Sequence, residues 1–411
     1  NQRTSFKRTI IMSKVLENYK PTILLVVGLL LGALVGAFFP TAVPYIKPAG
    51  DIFLNLLFIL IVPLVFFSIS TAIYNLKQRQ MVGRVLGVTM VVFVVLGLIA
   101  GILTYLGCIA FNPLDSTIPQ WSNTTFEKQS AGELLVNTLT VSDFHLLLSK
   151  SHILPLIVFA LLFGLAIASL GDKGKPMARF IESGNMVIMQ IMELIMKLAP
   201  IGLGCYFASV IAQLGAQVLT GYMRMLLLFC ALTLLVYFVF FPLCIYFICG
   251  KNQLKLFFKH ILSPSLTALA TCSSSACMPI NIISCKRMEV KDEIAETVIP
   301  LGTNLFKIGS IMNGVLKVIF AMALVGMSYH SLSAGAIVVL LAFSSATVVG
   351  AIPSGGMTGE IFICALLGID PQLVGVLMVV ATIVDIPATL LNSIGNITAT
   401  TLINKLTDKK S

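Results

Sequence analysis

The chain predicts an all-α polytopic membrane protein: eight transmembrane helices plus two re-entrant helical hairpins. Three observations carry this. Of 411 residues 57% are hydrophobic and only 11% charged, with a mean hydropathy of +0.99, whereas soluble domains run at roughly 45–50% apolar and about 25% charged. Apolar segments of the ~20 residues that a spanning helix needs recur along the whole chain. Between them, basic runs alternate with uncharged or acidic connections, the pattern that keeps lysine and arginine on the cytoplasmic side.

Candidate spans fall at 21–39, 45–74, 84–110, 150–170, 178–214 and 221–249. Several exceed 25 residues, which implies tilt, extension beyond the bilayer or internal breaks. The first run is followed by Pro40 and another long apolar segment without a small-residue cleavage site, so it reads as a span rather than a signal peptide. The chain opens on Asn1, leaving Met12 as a candidate start. The arm 1–20 (Arg3, Lys7, Arg8, Lys14, Lys20) and the loops at 77–84, 173–179 and 251–259 are basic. The connections at 111–149 and 214–220 are not. Both termini, including the tail 406–411, are expected in the cytoplasm.

After residue 250 the pattern changes. The segment 254–285 is split by Ser273, Ser274, Ser275 and Pro279 and enters and leaves on one side, as a re-entrant hairpin does. A full span, 293–327, carries Gly302, Asn304, Lys307 and Gly309 in its middle. A second hairpin, 335–369, is split at Pro353, Ser354, Gly355 and Gly356 and enters from the other side. The last span, 373–404, holds Asp385, Asn392 and Asn396 at spacings of seven and four, near one helical face. In hydrocarbon each unpaired backbone group costs about several kcal/mol, so such breaks survive only in protein or around a cavity. Hairpin plus broken span, repeated in inverted orientation, is the arrangement of a secondary transporter with its substrate near the midplane. Helix N-termini at the hairpin tips would face an anionic group.

These strings, in this order, resemble the dicarboxylate/amino acid:cation symporter family, the glutamate transporter homologues. IKPAGDIFLNLLFILIVPLVFFS (46–68), GRVLGV (83–88) and APIGLG (199–204) resemble its second, third and fifth helices. SSSACMPINI, IPLGTNLFKIGS, GAIPSGG and D-x-x-x-T-x-x-N-x-x-G-N resemble its first tip, broken helix, second tip and last helix. The likeness implies an elevator-type fold and a homotrimer. Residues 21–250 would hold six helices, the first, second, fourth and fifth as scaffold and the third and sixth moving with a transport core at 251–405. It implies a substrate site in which Asp385 binds an ammonium, Asn392 meets an α-carboxylate, and Thr389 and Ser310 offer hydroxyls. Ser274, Ser275 and the second tip at Ile352, Pro353 and Gly355 complete it. The expected substrate is a small amino acid or dicarboxylate in a lipid bilayer, a bacterial inner membrane.

Departures from the family are equally informative. Ala388 and Cys272 stand where acidic-substrate members place an arginine, so a small neutral amino acid is favoured over glutamate or aspartate. Lys307 keeps a dicarboxylate or acidic amino acid open. Phe93, Leu96 and Gly97 on the third helix, with Phe306 and Ile308, replace oxygen-bearing sodium ligands, which hard cations require. Gly302, Asn304, Phe306, Asn392 and Asn396 leave a weak sodium site at most, and a proton is the other candidate coupling ion. Lys307 has three readings: a fixed charge replacing a cation, a titrating proton carrier, or a side chain snorkelling in a crevice. Lys317 shares that ambiguity.

Rival classes fare worse. The net charge of +10 sits in short runs between apolar segments rather than on one face, so nucleic acid is not a partner. Nine cysteines without CxxC spacing read as small core residues, neither disulfide framework nor metal site. No enzyme is expected: a protease would need a Ser/His pair or paired aspartates at one depth, and no GxxxxGK loop supports ATP-driven transport. An anion channel on the same fold is the remaining rival.

Overall fold

The computed structural model describes residues 23–25, 27–78, 83–112, 140–149, 152–214, 217–350, 356–369 and 373–408. The terminal arm, the end of the tail, most of the 111–149 loop and the second hairpin tip with Ile352, Pro353 and Gly355 lie outside them. All regular structure among the described residues is helical, as the apolar periodicity predicts.

Helix α1 (Ile23–Phe38) meets the next helix at Pro40 with a bend of 108°. Phe39, restricted by the proline after it, leaves the helical region. Then come α2 (Val43–Gln78), α3 (Gly83–Ala110) and α4 (Ile153–Ser169). The expected span 178–214 is instead two helices, α5 (Lys175–Met196) and α6 (Ala199–Leu214). Pro200 can occupy a first turn but cannot continue a preceding helix. The segment 221–249 is α7 (Gln217–Leu235) and α8 (Phe241–Cys249), joined by a π-helical turn at Val236–Phe240. Pro242 removes an N–H just there, and the widened turn absorbs it.

The first hairpin consists of α9 (Lys251–His260), α10 (Leu262–Thr271) and α11 (Ser274–Arg287), with α10 packed on α11. Its break is narrower than the sequence implies. Only Cys272, left-handed at φ 48°, and Ser273 are non-helical; Ser274, Ser275 and Pro279 all lie inside α11. The broken span is α12 (Asp292–Leu305) and α13 (Ile308–Leu324), separated by extended backbone at Phe306 and Lys307. The second hairpin is α14 (Leu332–Gly350) packed on α15 (Gly356–Leu367). The last span, expected as one helix, is α16 (Leu373–Ile383) and α17 (Asp385–Asp408), bent by 64°. Pro387 explains the bend, because its ring clashes with the Ile383 carbonyl that a continuous helix would place beside it.

Three described helices are long and apolar enough to cross a membrane alone, Gly87–Ala110, Leu219–Cys249 and Asp292–Leu324, or five spans when the two bent pairs are counted. The others of the expected eight are shorter apolar helices such as Val158–Ser169 and Ala199–Ala212. Leucines and phenylalanines on α1, α4 and α7 are exposed, including Leu30, Leu162, Leu227 and Phe238, as a lipid-facing surface requires. Contacts fall into two sets. Helix α2 runs against α4, α5 and α6, whereas α17 and α13 are surrounded by α3, α8, α10, α11, α12, α14 and α16. The sets meet at α16, where Tyr206 lies against Gly375 and Tyr222 donates to the Val376 carbonyl at 3.2 Å.

Candidate functional site

The breaks of three elements converge on α17. Asp385 stands in its first turn, immediately after the bend, and is exposed. A helix N-terminus favours a carboxylate in that position. Lys307, half-buried in the break between α12 and α13, lies close enough to Asp385 for their opposite charges to interact, and Cys272, at the first hairpin tip, is also near Asp385. Ser273 caps α11 by accepting from the Ala276 N–H at 3.3 Å. This leaves Ser274 half-buried and Ser275 exposed at a helix start.

One and two turns along α17, Thr389 and Asn392 are buried. Asn392 is joined to Ser310 twice: Oδ1 accepts from the Ser310 N–H at 3.2 Å, and Nδ2 donates to the Ser310 Oγ at 3.3 Å. That close approach depends on Gly309, since a Cβ there would lie 2.1 Å from the Ala388 carbonyl oxygen. Asn392 and Ala388 therefore meet Ser310 and Gly309 in one contact between α13 and α17, and Asp385 and Thr389 stand on the same helix α17 nearer its start.

Of the candidate cation residues, Asn392 and Lys307 lie with the contact above, and Gly302, Phe306 and Asn396 gather one turn deeper. The Asn396 Nδ2 donates to the Ile299 carbonyl at 2.8 Å and to the Thr303 Oγ1 at 3.1 Å. Its Oδ1 is buried without a donor among the described residues and faces Gly302, where a Cβ would lie 2.1 Å from that oxygen and 3.1 Å from the Phe93 ring. The Gly302 carbonyl accepts from the Phe306 N–H at 2.8 Å. Beside it, Phe93 and Phe306 stack with centroids 4.4 Å apart and planes within 4°. The side chain of Asn304 is outside the described residues. No group of three or more His, Cys, Asp or Glu able to hold a metal occurs among the described residues, and the nine cysteines are free.

The structure adds residues that the sequence reading passed over. The Ser393 Oγ donates to the Asn281 Oδ1 at 3.0 Å, tying the last span to the first hairpin. Glu360, fully buried on α15, pairs with Lys317, so Lys317 does not snorkel. The signal was present as a single acid and a single base, each alone in an apolar run. Helix α11 also extends through Arg287, which gives the first hairpin an arginine. It is exposed at the end opposite the tip, about 20 Å away at 1.5 Å per residue.

Known proteins bear on this geometry. The chain is 27% identical over 394 residues to the proton/sodium-glutamate symport protein of Geobacillus stearothermophilus, covering 92% of each. It is 29% identical over 367 residues to C4-dicarboxylate transport protein 1 of Mesorhizobium japonicum, covering 84% of this chain and 72% of that protein. A third relative is a C4-dicarboxylate transport protein of Paraburkholderia phymatum, 29% identical over 364 residues, with 85% and 82% covered. These relatives are transporters, not enzymes. The sodium:dicarboxylate symporter family matches residues 22–406, and with the hairpins, broken spans and convergent polar groups already in place, the chain belongs to that family of integral membrane transporters.

Proposed function

We propose that the protein is a secondary active symporter for a small amino acid, more neutral than acidic, with sodium coupling reduced or absent. The observation that carries the substrate is Asp385, an exposed carboxylate at a helix N-terminus in the break of the last span. An ionisable group at membrane depth is a functional site by default, and a substrate ammonium is its natural partner. The α-carboxylate would lie toward Asn392 and Ser310, with Ser274 and Ser275 and the second tip at Ile352, Pro353 and Gly355 closing over it. Cys272 and Ala388 leave no guanidinium to grip a second carboxylate bidentately. The stacked Phe93 and Phe306 rings support the coupling half: they put carbon where a hard cation needs oxygen. Gly302, Asn304, Asn392 and Asn396 offer the remaining ligands of a weak site.

A second reading, an acidic amino acid or dicarboxylate:cation symporter, is favoured by Lys307 beside Asp385 and by the substrates in the relatives' names. Lys307 could take the second carboxylate as a point charge. Under either reading α1, α2 and α4–α6 form the scaffold of a homotrimer in a bacterial inner membrane, with both termini cytoplasmic. The remaining helices form the moving transport core.

Thermal-shift screening of amino acids and C4-dicarboxylates, followed by liposome uptake with and without a sodium gradient, tests both halves. Stabilisation by serine or alanine with sodium-independent uptake is expected. Stabilisation by succinate or glutamate alone favours the second reading, and uptake that needs several sodium ions per substrate refutes the coupling half.

A further inference from the structure

Lys317 and Glu360 are the buried ionisable pair that the substrate reading leaves unused. Glu360 is 0% exposed, the Lys317 side chain 8%, and Nζ donates to Oε1 at 2.5 Å. The pair joins the second helix of hairpin two to the second half of the broken span. Helices α13, α14 and α16 pack on α15. Across Ile308–Leu324, Leu332–Gly350 and Leu373–Ile383, Lys317 is the one ionisable side chain, and on α15 itself Cys364 is the other titratable group. Among these segments Lys317 is therefore the charged partner of the fully buried Glu360.

Among the described residues two oxygens in this region lack donors: Oε2 of Glu360 and Oδ1 of Asn313, both buried. Asn313 lies four residues before Lys317 on the same helical face, and a helical lysine leans back toward that turn. Burying an ion pair is a poor route to stability, because apolar residues of similar volume do as well or better. An acid kept in an apolar layer, with one oxygen paired and the other bare, has chemistry left to do.

We infer that Glu360 is a proton-binding site, with Lys317 as its fixed counter-charge, and that it carries a coupling proton through the transport cycle. A proton from the aqueous side adds to Oε2 and converts the carboxylate to a carboxylic acid. Lys317 keeps its own proton, so the pair passes from neutral to one net positive charge; release on the far side restores neutrality. This rests on the symporter reading above and names its ion.

Two measurements test it with the full chain. The first needs no substrate: infrared difference spectra of the purified protein, taken from mildly alkaline to mildly acidic pH. The parent should gain the carbonyl band of a buried carboxylic acid, and the neutral pair Lys317→Met with Glu360→Gln should lack it. No band in the parent, or an equal band in both, overturns the assignment. If the neutral pair does not fold, Glu360→Asp keeps the charge and should move the band; an unmoved band overturns the assignment equally. The second measurement is sodium-free uptake of serine, glutamate and succinate into liposomes. The parent rate should rise by up to about tenfold per unit of inward pH difference, the limit for one bound proton. The neutral pair should keep exchange at symmetrical pH and lose that rise; an equal rise in both overturns the coupling. If none of the three probes is transported while the infrared band behaves as expected, the carrier reading fails and the proton site stands.

Discussion

Two polar residues on α17 illustrate how neighbours decide a side chain's role. Asp385 and Asn392 share a helical face, yet Asp385 is exposed at a break while Asn392 is buried and committed to Ser310 at 3.2 and 3.3 Å. The first is open to a ligand, and the second holds two helices in register while keeping its other Nδ2 proton for the ligand proposed above. Asp385→Asn should cost amino-acid binding about 2–3 kcal/mol, roughly a hundredfold in Kd, the worth of a charge-assisted hydrogen bond. Isothermal titration checks this, and an unchanged or tighter Kd removes the ammonium role. Asn392→Ala should lower stability itself by about 1–2 kcal/mol, because the part-buried Ser310 N–H loses its acceptor; thermal unfolding in detergent reads the loss without any ligand.

At the scale of elements, prolines and glycines did most of the placing. Pro40, Pro200, Pro242 and Pro387 mark a bend, a helix start, a π-turn and the break before Asp385; the expected spans 178–214, 221–249 and 373–404 ran through the last three, whereas Pro40 stood out in the sequence. Pro279 was equally legible and stays inside α11, because the capping serine and a left-handed Cys272 had already set the turn. Helix α1 meets α6 through Gly28, Gly32 and Gly36, whose added Cβ atoms would lie 2.1, 2.1 and 2.4 Å from the carbonyl oxygens of Pro200, Gly204 and Ala208. This four-residue ladder lets backbones touch, the usual means of helix association in lipid. Gly32→Ala should therefore destabilise by about 1–3 kcal/mol through overpacking. Gly87→Ala, with nothing within 4 Å, should instead stabilise by up to about 1 kcal/mol from helix propensity alone. Paired thermal unfolding curves moving the same way would contradict the packing argument.

For the whole molecule, ion selectivity depends on which atoms share one buried spot. Gly302 touches both the orphaned Asn396 Oδ1 and the Phe93 ring, so a remnant oxygen and the aromatic stack border each other. Phe93→Ser combined with Phe306→Asn should convert that border into a cation site. The expected readout is a sodium-dependent rise in melting temperature that potassium does not give and the parent lacks. No rise would mean that the stack fills a gap rather than displaces an ion.

By itself the sequence determined the class, and it pointed to a first hairpin, a broken span at 293–327 and Asp385, Asn392 and Lys307 as the polar groups to watch, while reading the last span as one helix. Apolarity, basic loops and helix breakers are local properties, readable one segment at a time. The tertiary structure alone decided which polar groups are spent on each other: Asn392 on Ser310, Ser393 on Asn281, Asn396 on Ile299 and Thr303, and Lys317 on Glu360. Partnership depends on the distance between elements separated by dozens of residues, and a buried charge far along the chain from its counter-ion looks the same in sequence as one with none.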